Sequence, residues 1–177
     1  MAQTAWSTTA DQLVSDGDHQ QLSRLVIEHS WRVDLGHADT VHELYIDNGE
    51  LVVPPITLRG REAIHEWGRQ LVAASPWRAI RHVCGNMRFV TAGPDGAEGT
   101  TVLTVYMVAG SGSATTLPWS VGEDHDRFVR TERGWRLVQR RWVELFTRGD
   151  VVGLPLWPMG ANSATDQETP MKIPMGR

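Results

Sequence analysis

The feature that most constrains the fold is a change of hydrophobic period near residue 78: apolar residues recur every three or four positions before it and alternate after it. Helices therefore come first and strands follow. Leu22, Leu25, Val26, His29 and Val33 share one face, which predicts a helix from Asp18 to about Leu35, ended by Gly36. Asp39 and Thr40 open a shorter helical stretch whose apolar face is Val41, Leu44 and Tyr45. Asp47, Asn48 and Gly49 are turn residues, and 50–53 is a short strand closed by Pro54 and Pro55. Ala63, Ile64, Trp67, Leu71 and Val72 mark a third helix that stops before Pro76. Four strand-like runs follow, at 78–91, 99–109, 115–131 and 134–148, separated by Gly-Pro-Asp-Gly, Gly-Ser-Gly-Ser and the turn at Arg133 and Gly134. This order predicts an α+β fold with helices gathered on one face of a curved sheet.

A chain of 177 residues supports one real core, so a single domain is expected. Residues 1–17 are polar and rich in Ala, Ser and Thr, and form a loose N-terminal arm; 18–149 form the domain. The segment 150–177 is rich in Pro, Gly and Met yet carries Val151, Leu154 and Trp157, which predicts an arm packed on a pocket mouth or a neighbouring subunit. The net charge of −4 provides no basic surplus, which argues against nucleic acid as a partner. One cysteine, Cys84, and the lack of a leader-like or membrane-length apolar run predict a cytoplasmic protein with no membrane partner. Lys172 is the sole lysine and lies in the tail, which disfavours Schiff-base chemistry in a folded pocket.

Two residues stand out as candidate acid–base groups. Asp34 lies about eight positions beyond Val26 and projects from nearly the same face of the first helix. In the first long strand, strict alternation puts Ile80, His82, Cys84 and Asn86 on one face and Val83, Met87 and Phe89 on the other. The mixed face is either the solvent side of a sheet or the wall of a cavity. Tyr45, Asn86 and Arg141 are candidates for orienting a polar substrate, Arg141 because it alternates with Trp135, Leu137 and Gln139. Glu123, Asp124, His125 and Asp126 alternate between faces in a strand, so at most two converge, and no metal is expected. No phosphate loop and no nucleophile-elbow motif is present. Eight tryptophans would suit a core and the walls of a pocket for an apolar or aromatic ligand.

The succession WRVDLGHADTVHELYIDNGEL, LRGREAIHEW, IRHVCGNMRF and DRFVRTERGWRLVQRRW resembles the SnoaL-like branch of the nuclear-transport-factor-2-like (NTF2-like) superfamily over residues 18 to 148. The resemblance is to the group containing scytalone dehydratase, hexachlorocyclohexane dehydrochlorinase and bile-acid dehydratase. It implies a cone in which three N-terminal helices pack on a strongly curved mixed sheet around one pocket. It also implies that Asp34 supports His82 as a proton-abstracting pair, because these residues fall on the positions of that pair. His29 stands where such relatives carry a tyrosine or a lysine near the substrate, so it joins the candidate substrate-binding residues. The tyrosines and second histidine with which scytalone dehydratase holds water have no counterparts.

An imidazole backed by a carboxylate can take a proton from a carbon next to an activating group, after which a leaving group departs from the neighbouring carbon. This chemistry needs no metal or organic cofactor. The resemblance thus implies a lyase, of the dehydratase type or a similar elimination, acting on a small hydrophobic or aromatic molecule, cyclic ones included. An isomerase or polyketide cyclase of the same fold, or a ligand-binding module like a dioxygenase small subunit, are the alternatives. Relatives of this kind associate, so a homodimer or homotrimer is expected.

Overall fold

The structure is a computed structural model and describes residues 13–74, 80–107 and 117–147. Helix α1 (Asp16–Asp34) starts two residues earlier than its apolar pattern predicts. The Ser15 side chain caps it by accepting from the Asp18 N–H, and Asp16 and Asp18 complement the positive end of the helix dipole. Asp18 does more, because its carboxylate accepts from Trp135 Nε1 at 3.0 Å and pairs with Arg130, tying the helix start to the last hairpin. Leu13 bridges Val90, so part of the expected N-terminal arm joins the domain; residues 1–12 and the expected arm at 150–177 lie outside the described residues.

A 3₁₀ helix (Ala38–Leu44) forms the second helical stretch. Tyr45, expected on its apolar face, instead opens strand β1 (Tyr45–Val53), which runs through the predicted turn residues Asp47 to Gly49 with a register irregularity between Tyr45 and Glu50. Strand β2 (Ile56–Arg59) pairs back on β1 across the two prolines and was not evident from periodicity. Helix α2 (Arg61–Ala74) follows, then β3 (Ile80–Thr91), β4 (Gly96–Met107), β5 (Ser120–Thr131) and β6 (Gly134–Thr147).

The six strands form one mixed sheet in the order β2-β1-β6-β5-β4-β3. Only β1 and β6 run parallel, which brings the N-terminal hairpin beside the C-terminal strand. Register shifts interrupt β3, β5 and the β1–β6 pair, and such bulges increase local twist and bend a sheet around what packs on it. The main core lies between the helices and this concave face: Leu22, Val26, Ile64, Phe89, Phe128 and Leu137 are each almost fully buried. Each such side chain contributes roughly 1.5–3 kcal/mol relative to exposure. A smaller cluster of Ile80, Leu103 and Val105, with Trp119 and Trp142 against it, leaves the other end of the concave face unfilled. No helix among the described residues is long and apolar enough to cross a membrane.

Candidate active site

Asp34 is the last residue of α1, and the chain turns away through Gly36, whose φ of 85° needs a residue without a side chain. Arg32 holds this turn by donating to Glu28, Glu43 and the Thr40 carbonyl. A carboxylate is disfavoured at a helix C-terminus, so a buried one there needs donors. Asp34 is 6% exposed and finds both on one residue. His82 Nδ1 donates to Oδ1 at 2.6 Å, and the His82 backbone N–H donates to Oδ2 at 2.7 Å. A carboxylate can only accept, so Nδ1 carries a proton, and in the neutral ring the lone pair lies on Nε2.

His82 lines a cavity of about 160 Å³ walled by α1, α2 and the concave side of the sheet and open on one side. Leu51, Leu71, Leu103 and Val105 supply apolar wall, and Trp67, Trp119 and Trp142 supply aromatic surface. Trp119 Nε1 is buried with no hydrogen-bond partner among the described residues. Room for the Trp142 ring depends on Gly122, since a Cβ there would stand 2.6 Å from it and 2.4 Å from the Val143 carbonyl.

His29 also lines the cavity, from a buried position on α1. Burial, reinforced by the charges of Arg140, His82 and Arg32, holds its pKa well below the usual histidine value, so it is neutral at neutral pH. Its Nε2 is 3.1 Å from the Tyr45 hydroxyl, whose own pKa is pushed up by burial. Tyr45 stands behind His29 and reaches the cavity only through it. Ser30 lines the wall beside it with its Oγ 3.3 Å from Cys84 Sγ, and burial raises the pKa of that thiol, keeping it protonated.

Two expected pocket residues are displaced by bulges. In β3 the register shifts between Gly85 and Arg88, where Asn86 adopts φ 46° and is exposed. Met87 and Phe89 therefore turn to the core side that alternation had assigned to Asn86. In β6 an extra residue stands between Leu137, opposite Phe128, and Gln139, opposite Arg127. Past that point the inner face passes from odd to even positions. Arg141 is exposed, and Arg140 takes the buried position at 2% exposure.

Arg140 is the functional residue that alternation misses. Its Nε and Nη2 donate to the two carboxylate oxygens of Asp126 at 2.9 and 2.6 Å, and Nη1 lies 3.6 Å from Asp124. Asp124 and Asp126 are the two members of the acidic run that converge, and they do so on a guanidinium. Asp124, Arg140 and Glu144 complete the polar part of the cavity wall. The signal present in the sequence was the Arg140–Arg141 doublet opposite an acidic strand, without the phase to choose between the two arginines.

The SnoaL-like domain family matches residues 17–141, which spans helices, sheet and cavity together. The chain belongs to the SnoaL-like domain family. Solved structures agree on the fold. An NTF2-like protein with a cystatin-like fold from Novosphingobium aromaticivorans is 27% identical with a TM-score of 0.61, over 73% of this chain and 82% of that one. A protein of the same organism, provisionally assigned as a scytalone dehydratase, is 16% identical with a TM-score of 0.63, over 77% and 90%. ActVI-ORFA from Streptomyces coelicolor is 16% identical with a TM-score of 0.63, over 76% and 99%. At such identities the last two bear on the fold alone. No curated protein matches the chain. The SnoaL-like chain thus shares an NTF2-like cone in which the cavity wall, rather than the scaffold, carries the chemistry.

Proposed function

We propose that this SnoaL-like protein is a lyase that removes water, or a similar leaving group, from a small and largely apolar molecule carrying one ring. The observation that carries this reading is the Asp34–His82 contact at 2.6 Å on the wall of a cavity. A ligand carrier gains nothing from a carboxylate that fixes one imidazole tautomer, whereas a base does. His82 Nε2 takes the proton from a carbon next to an activating carbonyl, Asp34 balances the imidazolium that forms, and the leaving group departs from the adjacent carbon.

The volume bears on the choice among reactions. A dry cavity of about 150 Å³ admits benzene, so about 160 Å³ suits one substituted ring. That favours elimination on a small molecule over closure of a long polyketide chain. Isomerisation begins with the same proton transfer and differs in where the proton returns.

The test is exchange of the acidic C–H with deuterated solvent across a panel of monocyclic β-hydroxy and β-halo carbonyl compounds, followed by mass spectrometry and NMR. Wild type should exchange and eliminate, and His82→Ala should do neither at a comparable rate. Near-wild-type exchange in His82→Ala, or tight binding of panel members without exchange in the wild type, would return the domain to the binding class.

A further inference from the structure

Resting on that elimination reading, we propose that Asp124 is the proton donor of the pocket: it protonates the departing oxygen of a hydroxyl substrate while His82 removes the carbon-bound proton. Two observations carry this. Asp124 lines the same cavity as His82 from β5, two strands away in the same sheet. The two acids beside Arg140 are not equivalent, since Asp126 accepts two hydrogen bonds from the guanidinium while Asp124 is held off at 3.6 Å. One cation thus faces two carboxyls and is committed to Asp126, the one that does not line the cavity.

The charged neighbours of Asp124 act in opposite senses. Burial raises its pKa most; Arg140 opposes this, Asp126 adds to it, and His82 and His125 lower it further. The result is a carboxyl raised from 3.8 to about 6, which leaves roughly a tenth of it protonated at pH 7 and more below that. Glu144 and the neutral His29 are the remaining titratable side chains of the cavity wall. Two acid–base groups of different character on the wall of one pocket are what a concerted elimination needs.

The step balances without a further reactant. The C–H electrons form the new C=C bond as His82 Nε2 takes the proton. The C–O electrons leave with oxygen, which takes the Asp124 proton and departs as water. The imidazolium beside Asp34 and the carboxylate beside Arg140 then return to their starting states by one proton passing between them through solvent.

The experiment compares matched substrates, one with a hydroxyl and one with a chloride on the same ring, since chloride leaves without a proton. Asp124→Asn should lose about 10²–10⁴-fold in kcat on the hydroxyl compound, lose far less on the chloride, and lose the decline in rate that wild type shows as Asp124 deprotonates. KM should change little. Equal losses on both substrates, or no loss on either, would overturn the proposal while leaving the elimination reading intact. If the wild type eliminates neither, that reading fails and this one with it. A substrate-free check keeps Asp124 testable if the variant folds poorly. In carbon-13 NMR of aspartate-labelled wild type, the cavity carboxyl should titrate well above the ordinary range, and titration at the ordinary value overturns the assignment.

Discussion

Asp34→Asn is the perturbation in which geometry gives the clearest expectation. The carboxylate has two acceptor oxygens, one facing the imidazole Nδ1–H and one facing the His82 backbone N–H. An amide has one acceptor and one donor. The backbone N–H cannot change its role, so the amide oxygen must stay with it and the NH₂ must face Nδ1. Nδ1 then becomes the acceptor, the proton moves to Nε2, and the atom offered to the cavity can no longer take a proton. The reverse orientation keeps the tautomer but sets two donors face to face at 2.7 Å, which costs on the order of 1–3 kcal/mol in a buried site.

Either way the developing imidazolium loses its counter-charge, so kcat should fall by at least ~10²-fold, or about 2.7 kcal/mol. Binding should change much less, because the lost interaction belongs to the transition state. Single-turnover kinetics of Asp34→Asn, His82→Ala and the double variant, together with nitrogen-15 NMR of the His82 ring, provide the measurement. The double variant should be little worse than His82→Ala, since the pair acts as one unit. An Asn variant within about threefold of wild type, or one whose Nδ1 still carries the proton, would refute the tautomer account.

Two further outcomes follow from the buried charges. Because the pKa of Asp124 is raised on folding from 3.8 to about 6, the native state binds the extra proton between those values and stability falls as pH rises through that window. Asp124→Asn should therefore match wild type near pH 4 and be more stable at pH 8, by up to about 3 kcal/mol; chemical denaturation at the two pH values measures this, and an unchanged difference counts against the raised pKa. Replacing Arg140 by Met leaves two buried acids without their cation, so unfolding free energy should drop by about 3–5 kcal/mol at neutral pH, with partial recovery in an Arg140→Met/Asp126→Asn double variant.

Much of the architecture was legible because it is written in local periods. Spacings of three and four put Leu22, Val26 and Asp34 on the inner face of α1, and alternation put His82 and Cys84 on one face of β3; neither depends on distant residues. Asn86 and Arg141 were misplaced for one shared reason: a bulge inserts a single residue, and with a side-chain period of two that inverts every later position in the strand. Strand β2 was missed because four residues beside two prolines carry too few alternations to register.

By itself the sequence determined the order of helices and strands, the inward faces of α1 and early β3, and the chemical types available to a pocket. Tertiary structure alone decided that Asp34 and His82, 48 positions apart, meet at 2.6 Å, that Arg140 rather than Arg141 enters the wall, and that Asp124 is left with a weaker share of its charge than Asp126 has. Those outcomes depend on register, bulges and the parallel return of β6 beside β1, which are set by contacts between segments far apart in the chain. No local pattern encodes such contacts until the sheet has closed around its core.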